Sequence, residues 1–124
     1  MNIREFIGFG GVVLTADVYG NEDHPSVVLL PSLTQTRKVW ESAAKALAQA
    51  GRYVISLDLR GHGGSDSPKD CNYSLEAFMG DLVAVLSQLE SRPVLVGSNF
   101  GGWIGLAAIG NTSAPIATGL VLTN

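Results

Sequence analysis

Cysteine is nearly absent from this chain: Cys71 is the only one among 124 residues. An intrachain disulfide is therefore impossible, and there is no cysteine cluster to hold zinc. A lone thiol suits a reducing compartment, so the protein is expected in the cytoplasm, with no metal and no cofactor. Basic residues are also scarce. Eight Lys and Arg face eleven Asp and Glu, a net charge of -3, which gives no basic surface for nucleic acid. Met1–Glu5 includes an acid and leads into no continuous apolar core, so it does not read as a signal peptide. Repeats, low-complexity tracts and linkers are missing. The chain reads as one domain, 1–124, whose 46% hydrophobic content argues against disorder.

Charge disappears entirely from residue 93 onward. Gly97, Gly101 and Gly105 recur there at a spacing of four, as in the small-residue packing motifs of membrane helices. A small membrane protein using 93–123 is one reading. However, Ser98, Asn99, Asn111, Thr112, Ser113 and Pro115 interrupt the run. A buried parallel strand followed by a buried helix is equally free of charge. The second reading is preferred, and no membrane partner is expected.

What is present is a regular alternation of apolar runs and helical stripes. Phe6 to Gly11 and Val12 to Tyr19 are expected to form a hairpin around Gly10–Gly11. Val27 to Leu30 is a continuous apolar run, ended by Pro31. Val39 to Ala50 is a predicted helix with Val39, Ala43, Ala46, Leu47 and Ala50 on its inner face, stopped by Gly51. Tyr53 to Leu57 is a strand, and Asp58 to Pro68 a glycine-rich loop. A helix capped by Ser74 carries the stripe Leu75, Phe78, Leu82, Val85, Leu86, Leu89 and runs to about Glu90. Val94 to Val96, Gly102 to Ile109 and Leu120 to Leu122 complete the series as strand, helix and strand. Such alternation implies an α/β fold with a mostly parallel sheet of about six strands and helices on both faces.

The sharpest local signal is Gly97-Ser98-Asn99-Phe100-Gly101-Gly102, where a buried strand meets a helix. Glycines two before and two after Asn99 leave room for a tight, strained turn that exposes one side chain. Asn99 takes that place.

Three segments now stand in a consistent order: Leu29-Leu30-Pro31-Ser32-Leu33, then Asp58-Leu59-Arg60-Gly61-His62-Gly63-Gly64-Ser65, then Gly97 to Gly102. The chain resembles the N-terminal portion of an α/β-hydrolase over nearly its whole length. The middle segment is similar to that family's Asp-x-Arg-Gly-x-Gly-x-Ser loop, and the last to its nucleophile elbow. The resemblance implies a hydrolase of esters or related small molecules. Asn99 would stand in the nucleophile position, Gly97 and Gly101 would be the elbow glycines, and the backbone N–H groups of Leu33 and Phe100 would form the oxyanion hole.

The chain departs from the family at three points. Serine, or aspartate in relatives resembling epoxide hydrolases and haloalkane dehalogenases, usually fills the elbow; a carboxamide is a poor nucleophile. Pro31-Ser32 also stands where the family has a His-Gly pair. The family carries its catalytic acid and histidine on strands beyond the one ending near Thr123. His24 and His62 are the only histidines here, one in an early turn and one in a loop of structural role. The chain is thus expected to be the front part of a longer hydrolase, or to be completed by a second polypeptide, and to be inactive as it stands. A non-catalytic small-ligand-binding or interaction module is the alternative. The apolar edge near 120–123 is expected to pair with a completing chain or to form a homodimer. Asp58, Arg60 and Asp66 are expected to brace their loop, with catalysis by Asp58 a second choice. Cys71 is read as an incidental surface thiol, and Trp40 and Trp103 as packing residues.

Overall fold

The computed structural model describes residues 1–123. Six strands form one sheet: β1 (Asn2–Ile7), β2 (Val13–Tyr19), β3 (Ser26–Leu30), β4 (Tyr53–Leu57), β5 (Val94–Ser98) and β6 (Gly119–Thr123). Their order is β1-β2-β4-β3-β5-β6. β1 and β2 form an antiparallel hairpin, and β2 runs antiparallel to β4. The other neighbours are parallel. This is the α/β sheet expected from the alternation of elements.

The strands with unbroken apolar runs lie at the centre because both of their faces must be covered. Every residue of β3 and β4 is buried. Alternate side chains go to opposite layers. Val28, Leu30, Ile55 and Leu57 meet α2 (Leu75–Ser87) and α3 (Phe100–Gly110) on one face, in a core that includes Phe78, Leu82, Val85 and Ile104. Val27, Leu29 and Val54 meet α1 (Glu41–Gln49) on the other, around Ala44.

Several boundaries move. The first strand is Asn2–Ile7 rather than 6–11. Residues 8–12 instead make the turn, closed by the Gly8 N–H donating to Val12 O at 2.7 Å, with Gly10 and Gly11 at φ +69° and +83°. Arg37–Trp40 is a short 3-10 turn ahead of α1. It seats Trp40 against the sheet, so the inner face of the helix is Trp40, Ala44, Leu47 and Ala48, while Val39 is exposed. The bulky indole outweighs the valine in choosing which side is buried. α2 starts as expected, with the Ser74 hydroxyl accepting from Ala77 N, but ends at Ser87.

The outer edge of β1 is capped from within. Gln88 Oε1 accepts from Ile7 N at 3.2 Å, and Gln88 Nε2 donates to Ile7 O at 2.9 Å. One carboxamide thus satisfies both main-chain groups of Ile7, the last residue of β1.

The charge-free run is divided among β5, α3 and β6. No helix among the described residues is long and apolar enough to cross a membrane. The glycine spacing serves close packing instead. A Cβ on Gly101 would fall 2.5 Å from Leu30 O and 2.6 Å from Pro31 O, and one on Gly105 would fall 3.1 Å from Leu120 Cδ1.

Candidate functional site

β3, β4 and β5 run parallel, so their C-terminal ends share one edge of the sheet, and the loops that follow them meet there. Asn99 is the single residue between β5 and α3, at φ +49° and ψ -113°. Only Asn99 and Cys71 adopt positive φ among the described non-glycine residues. Such a conformation costs on the order of 1–3 kcal/mol and persists only where its surroundings impose it. The surroundings here are close backbone packing. A Cβ on Gly97 would collide with Gly102 N, and Gly101 lies against Leu30 O and Pro31 O. The turn is anchored further by Asn99 N donating to Thr123 O at 3.2 Å and Trp103 N donating to Asn99 O at 3.1 Å.

The Asn99 side chain is exposed and tethered. Its Nδ2 donates to Ser32 Oγ at 3.1 Å, and Ser32 Oγ donates to Ser98 O at 3.3 Å. Ser32 is the partner that sequence reasoning passed over. The signal was present, because Pro31-Ser32 stood out as a departure at that place. The Asn99–Ser32 contact brings the Leu33 segment beside the start of α3. Leu33 itself is exposed. Phe100 packs edge-on against Phe78, ring centroids 5.0 Å apart, which holds the first turn of α3 to α2.

Asn99 opens onto a depression of about 300 Å³ lined by Gly102, Trp103, Leu106, Leu122 and Thr123. Its wall is uncharged and mostly apolar, with Asn99 and Thr123 as its polar side chains. Trp103 is 63% exposed here, which corrects its reading as a packing residue: the turn points it out of the helix–sheet interface. No His, Asp, Glu or Cys lines this depression or hydrogen-bonds Asn99 among the described residues. His24 lines a hollow with Val94 and Thr118, at the opposite end of the parallel strands. His62 Nδ1 lies 2.9 Å from Arg60 O in its own loop. No group of three or more His, Cys, Asp or Glu residues able to hold a metal occurs among the described residues.

The expected Asp58–Arg60–Asp66 brace is not formed. Arg60 and Asp58 are both buried and each requires an opposite charge, but each finds it outside the loop. Arg60 makes a two-point pair with Asp81 of α2, Nε to Oδ2 and Nη2 to Oδ1, both at 2.7 Å, and also donates to Asn72 O and Phe9 O. Asp58 pairs with Arg37 and accepts from Arg37 N at 2.6 Å and Gly64 N at 2.8 Å. Asp66 is exposed and engages only through its backbone, with Val13 and Gly61. Asp58 is thus enclosed and committed to these contacts. Arg37 also pairs with Asp17 at 2.9 Å, as does Lys38. Burial alone would raise the Asp17 carboxyl, but hydrogen bonds from Lys38 and Arg37 outweigh it and hold the group below the ordinary carboxylate value. Cys71 is exposed, with no base beside it in its turn.

A larger hollow of about 400 Å³ lies between the hairpin tip, Phe9–Val12, and the 66–72 loop. Arg60 on its wall is already engaged by Asp81, and the other charged residues that line it, Asp66, Lys69 and Asp70, are exposed.

Comparison with known proteins places this geometry. A sequence model described as alpha/beta hydrolase fold matches residues 25–122. The chain is 41% identical over 85 residues to the sn-1-specific diacylglycerol lipase ABHD11 of Mus musculus, covering 67% of this chain and 27% of that protein. It is 33% identical over 100 residues to epoxide hydrolase A of Mycobacterium tuberculosis (strain ATCC 25618 / H37Rv), covering 79% and 31%. Among solved structures, the esterase RhEst1 from Rhodococcus sp. ECU1013 superposes with a TM-score of 0.86 at 32% identity, over 99% of this chain and 46% of the esterase. The chain therefore spans less than half the length of each of these proteins.

Proposed function

Since this chain belongs to the alpha/beta hydrolase fold family, we propose that it is the elbow-bearing part of a hydrolase of ester-type bonds in small molecules, and that with Asn99 in the nucleophile position it does not turn over. Two relatives bear on the bond type: one is named a diacylglycerol lipase and one an epoxide hydrolase. The observation that carries the proposal is the strained bend at Asn99, flanked by Gly97 and Gly101. That bend presents one side chain at the C-terminal edge of the sheet, and the side chain is a carboxamide. A covalent intermediate needs an ionisable or base-activated nucleophile. Among the described residues no base is hydrogen-bonded to Asn99. In this reading the N–H groups of Leu33 and Phe100 are the oxyanion donors.

The test is hydrolysis of activated aryl esters and a styrene-type epoxide by the purified chain. No rate above that of Asn99→Ala is expected. Turnover that Asn99→Ala abolishes would overturn the proposal.

The apolar depression beside Asn99 favours a second reading, a module that binds a small ligand without cleaving it. Saturable thermal stabilisation by acyl compounds would support this reading; no shift across such a panel would count against it. The uncharged β6 edge is, in either reading, the place where a completing chain or a second copy adds. A monodisperse monomer by light scattering at high concentration would argue against self-association.

A further inference from the structure

Ser32 and Asn99 meet across two loops, so their geometry depends on whatever fixes those loops. The segment 31–36 leaves β3 at Leu30, which is held in register with Gly97 of β5. Its near end is therefore set by the sheet. Its far end is Arg37, and there four separate contacts converge. The Arg37 N–H donates to Asp58 Oδ1 at 2.6 Å. Its guanidinium pairs with Asp58 and, from Nε, with Asp17 at 2.9 Å. Its carbonyl accepts from Ser56 Oγ at 2.8 Å. Lys38 adds a contact to Asp17 at 2.9 Å. Asp17 and Asp58 are both buried, so each needs its charged partner in place to offset the cost of leaving water. Between the two fixed ends, Gln35 N donates to Ser32 O at 3.1 Å and closes the segment into a turn.

We propose that the Asp17–Arg37–Asp58 cluster is a positioning device for the Ser32–Asn99 pair: it clamps the far end of the 31–36 segment and so sets where Ser32 Oγ meets the Asn99 carboxamide. Asp58 serves two loops at once, because Oδ2 also accepts from Gly64 N at 2.8 Å. The clamp is thereby referenced to the loop after β4 as well as to β2. The inference rests on reading Ser32 and Asn99 as the ligand-facing pair.

The second buried ion pair supplies an internal control. Arg60–Asp81 ties the hairpin tip and the Asn72 loop to α2 and touches nothing in 31–36. Nuclear magnetic resonance of the side-chain amide of Asn99, with hydrogen exchange at 32–36, separates the two. Arg37→Met is expected to move the Asn99 Nδ2 resonances and to speed exchange at 32–36 at least tenfold. Arg60→Met, though destabilising, is expected to leave both unchanged relative to its own global stability. Arg37→Lys is expected to restore part of the Asn99 signal. If Arg37→Met does not fold, Ser56→Ala, which removes one contact, and Asp58→Asn, which removes one charge of the pair, carry the same comparison. An Asn99 signal unmoved by the clamp variants, or moved equally by Arg60→Met, would overturn the proposal. Turnover that Asn99→Ala abolishes, with an Asn99 signal still sensitive to Arg37, would instead fail the functional reading and leave the clamp standing.

Discussion

Asn99 reaches Ser32 through its side chain, Nδ2 to Oγ at 3.1 Å, joining the strand-to-helix bend after β5 to the loop after β3. Asn99 also lines the depression beside Trp103. The bond is made at a main-chain conformation that costs free energy, so the two effects can be separated by substitution.

Asn99→Ala and Asn99→Gly both delete the bond to Ser32, but only glycine relieves φ +49°. Asn99→Gly is expected to be more stable than Asn99→Ala by about 1 kcal/mol or more. Urea denaturation of the two variants measures the difference. Equal stabilities would show that the bend stores no strain.

Gly101→Ala places a methyl carbon against two carbonyl oxygens that belong to the backbone and cannot swing away. A loss of at least about 2 kcal/mol is expected. Gly105→Ala meets only the end of Leu120, and a cost below about 1 kcal/mol is expected. Thermal unfolding of both variants checks the ranking.

Arg60→Met leaves Asp81 buried without its partner and is expected to cost about 3–5 kcal/mol. Replacing both, Arg60→Met with Asp81→Leu, removes the stranded charge, although it also removes the donors to Asn72 O and Phe9 O and the acceptor for Phe9 N. The double variant is expected to be more stable than the Arg60→Met single. A double-mutant cycle by chemical denaturation gives the coupling.

The depressed Asp17 carboxyl makes an acid-side prediction. A group that releases its proton more readily when folded contributes its full stabilisation above the ordinary carboxylate value, about pH 4. That contribution is lost as pH falls through the lower folded value. Asp17→Asn is therefore expected to be less stable than the parent at pH 6, with the difference shrinking below pH 4. A difference independent of pH from 6 to 2 would contradict the assignment.

The periodic elements were legible because burial writes them directly: β3 and β4 as unbroken apolar runs, α2 as a stripe behind a serine cap, and the bend at Asn99 as glycines at fixed offsets. What escaped was decided by competition or by distance. Val39 and Trp40 are adjacent candidates for one buried position, and composition alone did not say that the indole would take it. Asp81 lies within the apolar stripe of α2, a visible anomaly that marks Arg60's true partner. Arg37, Asp17 and Asp58 have no such local mark. They are drawn together only once β2 lies beside β4 and the loop after β3 returns over both.

The Gln88 carboxamide on Ile7 makes the two flanks of the sheet unequal. A foreign strand approaching the hairpin side would have to displace a side chain already satisfying the main chain there, whereas the charge-free flank at Gly119–Thr123 offers bare peptide groups with no competitor among the described residues. A strand added along Gly119–Thr123 would lie next to the bend that carries Asn99.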